Sequence, residues 1–384
     1  MNFCRNKNEV TVQLFEHTHQ LPDVWNEILP EKHFLQTAHL TIYEEATLPD
    51  VNYLYALVWV DNEAVAASYF QVLRITDYHL NTQGLNDLQK VGWKVFAHLS
   101  GTRLLISGHL FRHDICSFFW RGNCSLFDVF NMYQKAIEAA RKKACTQAVL
   151  VKDVNNQLTP YFQHYAPDFL QLRNDISMEL NLPFKWKNMD DYEIALKHKY
   201  AQRFRKIRSA WNGLEIIELD SIATETNKKI LFNLYWQVSD KQTVRLGNLT
   251  EDFLPLLKKS HSKELRIWLV KEKEKPVAFF SAWVHLFAFD MFYIGFDYQQ
   301  NERLQLYFNI LFFSVEQTLA FGKKKLILGR TALEAKARLG CAPKYLSTYL
   351  FIKNPLVRKV IFQLQQNISS KEGEWENRHP FKAN

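Results

Sequence analysis

The sequence predicts an α/β fold in two similar units, each a mixed central sheet flanked by helices. Three observations carry this. The chain has 384 residues, long for one core when a domain takes roughly 100–200. Its 47% hydrophobic residues, 14% aromatics, 12 Gly and 11 Pro exclude disordered and collagen-like classes and suffice for a large core. The order hairpin, strand, long helix, strand, short helix, strand also occurs twice, and a crossover helix lets neighbouring strands lie parallel.

In the first half, "NYLYALVWVDNEAVAASYFQVLRI" has two β-rich runs around Asp61-Asn62, a hairpin signal. "TRLLISGHL" is the next strand. "SLFDVFNMYQKAIEAARKKA" has helical spacing, with Phe127, Phe130, Tyr133, Ile137 and Ala140 on one face. "TQAVLVKDV" and "DISMELNLP" follow as short strands.

The second half repeats the order. "ELRIWLVKEKEKPVAFFSAWVHL" is a hairpin, "FDMFYIGFDY" a strand, "RLQLYFNILFFSVEQTLAF" a buried helix and "KKLILGR" a strand. Val277 to Phe296 has the length of a bilayer span, roughly 20 residues. His285 and Asp290 are costly in hydrocarbon, and the aromatic run favours two buried strands joined by a tight turn. Between the halves, Asn188 starts one helix, with Asp190 and Asp191 in its first turn, that stops at Asn212-Gly213. The expected units are 1–185 and 186–355, with 356–384 a polar, frayed tail.

The polar chemistry collects at the joints. In "GRTALEAKARLG", Thr331 and Glu334 have capping-box spacing and Gly340 supplies a left-handed stop, giving a helix of about two turns. Arg330 falls where the strand ends and free N–H groups favour an anion; Lys336 reaches the same place if it turns inward. Asp297 and Asn301 stand where a cap or a catalytic group belongs. Gly295 within its strand signals a bulge or a close backbone approach.

"KHKYAQRFRKIR" puts Lys199, Arg203 and Lys206 on one helical side and Tyr200, Phe204 and Ile207 on another. That basic side is either a solvated face or a contact for substrate or RNA phosphates. A net charge of +8 agrees with an anionic partner without choosing among nucleic acid, phosphorylated metabolite and lipid surface. Cys4, Cys116, Cys124, Cys145 and Cys341 form no CxxC pair, and the start "MNFCRNKNEVTVQLFEH" lacks a secretory apolar stretch. Reduced thiols in a cytoplasmic setting are expected. No G-x-G or G-x-S-x-G motif occurs. His109 and His113 lack the Glu of a zinc-protease helix, so no metal is expected.

The repeated unit and its joints resemble the tandem GNAT-fold proteins of the FemAB-like, BioF2-like acetyltransferase type, which include predicted N-acyltransferases. The resemblance covers about residues 50 to 355 and rests on "SGHLFRHD", "LVKDV", "YIGFDY" and "LYFNILFFSVEQTLAFGKKKLILGRTALEAKARLGCAP". It implies central strands that part at a bulge, leaving a gap for an acyl donor. It places Tyr293, Gly295 and Asp297 along one strand, with Arg330, Thr331 and Lys336 across the gap. The implied reaction is attack of an amine on a donor carbonyl. Asp297 or His285 takes the amine proton, a backbone N–H holds the oxyanion, and Tyr293 or Tyr307 returns a proton. Gly295, Asn301, Arg330, Thr331 and Lys336 are the implied donor-binding set, while Lys152, Asp153, Lys199 and Arg203 are assigned to substrate.

The resemblance implies no tightly bound cofactor; acyl-CoA or another acyl donor enters as co-substrate. The segment "YQQNERLQLY" has no glycine where the group carries a Gly-rich pyrophosphate loop. Three readings therefore stay open. They are a thioester-dependent N-acyltransferase, an aminoacyl-tRNA-dependent FemABX-like peptidoglycan aminoacyl ligase, and a non-catalytic GNAT-fold binding protein. The partners implied are an amine acceptor, an acyl donor or tRNA, and a peripheral contact with anionic membrane lipids.

Overall fold

The computed structural model describes residues 9–76, 79, 86–88, 90–92, 103–172, 175–242, 245–359, 363 and 376–382. They form two compact units, drawn from Met1–Asp175, Thr243–Asn248 and Leu346–Gly373, and from Ile176–Gln242, Leu249–Tyr345 and Glu374–Asn384.

The first unit contains β1 (Val10–Phe15), β2 (Val51–Val60), β3 (Glu63–Arg74), β4 (Arg103–Ser107), β5 (Phe118–Trp120), β6 (Ala148–Val151), β7 (Phe169–Leu172) and, from far down the chain, β15 (Thr348–Ile352). The sheet order is β1-β2-β3-β4-β6-β15-β7, with β5 pairing β3. Asp61 and Asn62 both have positive φ, 50° and 64°, the conformation that a two-residue hairpin turn needs. Leu126–Lys143 lies on the sheet through Phe130, Tyr133, Ile137 and Ala140. Phe127 leaves that stripe, is exposed, and packs edge-on against Tyr165.

The second unit contains β8 (Ile176–Asn181), β9 (Leu214–Glu218), β10 (Leu265–Glu272), β11 (Lys275–Val284), β12 (Ala288–Phe296), β13 (Lys325–Gly329) and β14 (Ala342–Tyr345), ordered β14-β8-β13-β12-β11-β10-β9. Val277 to Phe296 is indeed two buried strands and a turn. No helix among the described residues is long and apolar enough to cross a membrane. Strand β8 thus joins the second unit although it precedes residue 185, and β15 joins the first.

Leu306–Ala320 is apolar on nearly every side because most of it is buried. Phe313 meets Phe280 of the sheet, and Phe312 meets Phe204 of the His198–Ser209 helix, both at 4.9 Å between ring centroids.

The helix expected from Asn188 to Asn212 is two helices, Met189–Ala195 and His198–Ser209. Asn188 caps the first with a full capping box, accepting from the Asp190 and Asp191 N–H groups. The break falls at Leu196-Lys197, where Leu196 bridges Phe381 and the Lys197 N–H donates to the Pro380 carbonyl at 2.8 Å. Much of the expected frayed tail lies outside the described residues. Its segment 376–382 is anchored: Phe381 packs on Trp186 and fills the space beside Gly340. Gly340 takes φ +100°, the left-handed stop expected of it.

Candidate functional site: a splayed strand pair in the second unit

Strand β12 pairs with β13 in parallel over only three positions, Ala288 with Lys325, Phe289 with Leu326, and Asp290 with Ile327. Beyond these, β12 continues along β11 to Phe296 while β13 continues along β8, each through an irregularity. On β12, Phe292 and Tyr293 together oppose Ser281, since Phe280 pairs Ile294 and Ala282 pairs Met291. This is a β-bulge, which bends its strand and increases twist. On β13 the register slips between Ile327 and Gly329, where Gly329 has φ +73°. The strands therefore separate above Asp290 and Ile327. The Ser281 hydroxyl closes the bulge, accepting from the Tyr293 N–H at 3.0 Å and donating to the Tyr293 carbonyl at 2.9 Å. Tyr293's N–H is thereby removed from the candidates for an oxyanion donor.

The β13 arm is braced from below by Lys336. The short helix Leu333–Ala337 turns its side chain inward, and Nζ donates to the Leu328 carbonyl at 2.6 Å and the Gly329 carbonyl at 3.1 Å. Lys336 is 3% exposed. Burial pulls its ammonium down to about 7, against a smaller opposing pull from Cys341. Burial pushes the Cys341 thiol up to about 12 and raises the Tyr307 phenol. The Cys341 charge is felt by both Lys336 and Tyr307, so the three belong to one buried neighbourhood at the β13 arm and the start of the Leu306–Ala320 helix.

At the vertex sits Asp290, 8% exposed, with Oδ2 3.7 Å from His285 Nε2. Sequence reasoning used Asp290 only to reject a membrane span. Its signal was available: it is the sole carboxylate among the twenty residues from Val277 to Phe296, and a buried carboxylate requires a partner.

The remaining expected residues are placed as follows. Asp297 closes a turn: Oδ1 accepts the Gln299 N–H at 3.0 Å and Oδ2 lies 3.5 Å from Lys275 Nζ. His285 is in the turn before β12 and Asp297 just past its end, roughly 25–30 Å away at about 3.3 Å per residue, so the two do not share one site. Asn301 caps the long helix, accepting the Tyr307 N–H at 3.0 Å, at the helix N-terminus where the resemblance puts donor binding. Gly295 is no donor cradle either. A Cβ there would lie 2.3 Å from the Tyr235 backbone nitrogen, so its bareness admits the Lys228–Ser239 helix.

The Tyr293 ring packs edge-on against Tyr235 and Phe253. Arg330 is half-buried at the end of β13, and Thr331 is exposed. Thr331 forms no cap. The helix starts from Ala332 in the left-handed region without a side-chain cap and runs only five residues. Glu334 is drawn instead to Arg338 and Arg378, at 3.0 and 2.8 Å. Lys199 is exposed, and Arg203 holds its guanidinium 4.9 Å over the Phe308 ring.

In the first unit, Lys152 and Asp153 follow the end of β6. The parallel pair β4 and β6 stops at Ser107 and Val151. Beyond it, Lys152 donates from its backbone to the Ser107 carbonyl (2.8 Å) and from Nζ to the His109 carbonyl (2.7 Å). Asp153 is buried at φ +54°. Among the described residues no group of three or more His, Cys, Asp and Glu side chains could hold a metal ion.

Each unit thus has a mixed sheet flanked by helices with a single parallel strand pair, and in the second unit that pair ends early. Two mixed sheets flanked by helices agree with the fold class expected from the sequence. No protein-family model matches the sequence, and no curated protein matches it. Among solved structures, FemX aligns over 92% of this chain and 99% of its own at 10% identity and a TM-score of 0.49. The tandem GNAT protein from the clavulanic acid biosynthesis pathway aligns over 90% and 99% at 9% identity and 0.48. L-PGS from Bacillus licheniformis aligns over 87% and 96% at 11% identity and 0.46.

Proposed function

We propose that the second unit is an acyl-group transferase, taking an activated acyl or aminoacyl donor between β12 and β13 and passing it to an amine. The observation that supports this is the separation of the two strands above Asp290 and Ile327, beside a bulge. Two strand edges facing each other without pairing offer N–H and C=O groups to an extended amide-bearing chain.

In this reading His285 takes the amine proton, and the Asp290 carboxylate stabilises the imidazolium that forms. Lys336 serves the leaving group: with two N–H bonds committed to carbonyls, an ammonium keeps a third to donate, and the neutral amine keeps a lone pair. Holding donor and acceptor together supplies much of the rate, so few side chains are indispensable. The experiment is a transfer assay with acetyl-CoA, long-chain acyl-CoA, acyl carrier protein and aminoacyl-tRNA as donors, alongside thermal shifts with each. Stabilisation and turnover with one donor class are expected. Failure of every donor to bind would leave the unit a scaffold without a donor slot.

The aminoacyl-tRNA reading is favoured by one specific feature, the exposed basic side of His198–Ser209 at Lys199, Arg203 and Lys206. A small nucleotide donor does not need it.

A further inference from the structure

The first unit buries a second polar cluster that the transfer chemistry above does not use. Tyr53 and Tyr55 of β2 stand opposite Gln71 and Tyr69 of β3. His109, just past β4, meets the Tyr69 ring at 5.6 Å and the Tyr43 ring at 4.6 Å. Tyr69, Gln71 and His109 are each 0% exposed. The Tyr69 hydroxyl, Gln71 Nε2 and His109 Nε2 nevertheless have no hydrogen-bond partner among the described residues.

The polarity of these atoms is fixed by their other bonds. The Phe111 N–H donates to His109 Nδ1 at 3.2 Å, so the neutral ring carries its hydrogen on Nε2. The Leu110 N–H donates to Gln71 Oε1 at 2.6 Å, which turns the amide NH2 the other way. Burial keeps the Tyr69 phenol protonated and the His109 ring neutral. All three orphans are therefore donors. The charges acting on His109 are those of Arg112, Lys152 and His33. Glu44 acts on Tyr69 through its charge alone, as its oxygens are bonded by the Tyr55 hydroxyl at 2.5 Å and the Thr18 N–H at 2.9 Å. The field of Asp153 acts on Cys116.

Fully buried donors without acceptors are rare in folded proteins because each costs about 1–3 kcal/mol. Three in one packed cluster, with the Arg112 and Lys152 charges acting on His109, describe the complement of a group that only accepts. We propose that the first unit holds a buried binding site for an acceptor-only oxyanion, a carboxylate or a phosphate, formed by Tyr69, Gln71 and His109. An open groove lined by Glu44, Asp50, Tyr53 and Arg74 reaches the cluster at Tyr53, whose ring stacks 6.4 Å from Tyr69. The site stands whether or not the second unit transfers acyl groups.

The test measures thermal midpoints of the full chain at pH 7.5 in sodium acetate, sodium phosphate and sodium chloride at matched ionic strength. Acetate or phosphate, but not chloride, raises the midpoint saturably; the arm that responds identifies the source. Gln71→Met and His109→Phe each weaken the apparent affinity about tenfold. Should His109→Phe not fold, Gln71→Met and the wild-type His109 Nε2–H resonance, shifted downfield by the responding anion, decide. Identical midpoints in all three salts with an unmoved His109 resonance mean that water alone fills the space and overturn the proposal. So does a rise that survives in both variants.

Discussion

Replacing Lys336 by Met tests the brace under β13 through its pH dependence. An unfolded lysine keeps its proton to about pH 10.4, whereas folded Lys336 loses it near 7. Between those values the unfolded chain binds more protons, so stability rises with pH, by at most about 1.4 kcal/mol per unit. From pH 7 to 8.5 the wild type gains about 2 kcal/mol from this group. The variant gains none. At pH 7 the loss of a donor to the Leu328 and Gly329 carbonyls is offset by the removal of a buried ammonium, so the two proteins differ least there. The assay is urea unfolding of both proteins at half-unit steps from pH 7 to 8.5. The Cys341 thiol is common to both chains and largely drops out of the difference. Wild-type and variant curves that run parallel across this window would refute the inward, buried placement of the ammonium.

Other perturbations read other parts of the structure. Gly295→Ala forces a Cβ against the Lys228–Ser239 backbone at 2.3 Å and is expected to cost about 1–3 kcal/mol or more, visible as a lowered unfolding midpoint. Asn301→Ala removes the cap on the Tyr307 N–H and costs about 1 kcal/mol by the same measurement. Burial holds the His33 imidazole down to about 4; the unfolded chain then binds more protons below about pH 6.5. Stability falls as pH drops from 6.5 towards 4, and His33→Gln flattens that fall. If tRNA is the donor, Lys199→Ala and Lys206→Ala each reduce the slope of log affinity against log salt by about 1; an unchanged slope removes this helix from the interface.

The strands were legible because aromatic and β-branched runs alternate with turn residues, and Asp61-Asn62 needed no tertiary help. What the sequence hid has long-range causes. The break at Leu196-Lys197 comes from Phe381, 185 positions downstream, whose pairing replaces a helical turn. The Thr331–Glu334 spacing is sound locally, but Arg338 and Arg378 outbid Thr331's N-terminal position for the carboxylate. Lys336 was recognisable as a polar residue at a joint, yet its inward rotamer depends on two carbonyls freed where β13 leaves β12. Asp290 and the Tyr69, Gln71 and His109 group could have been found by another rule. Polar residues at alternate positions within strongly apolar strands mark a buried face that must be satisfied.

The place of β15 has a consequence for synthesis. Strand β15, Thr348–Ile352, lies between β6 and β7 and pairs with both. A ribosome has therefore delivered every strand of the second sheet before the first sheet can close. Of the two sheets the first is begun earlier and closed later, and a chain released before Thr348 exposes the edges of β6 and β7 to aggregation.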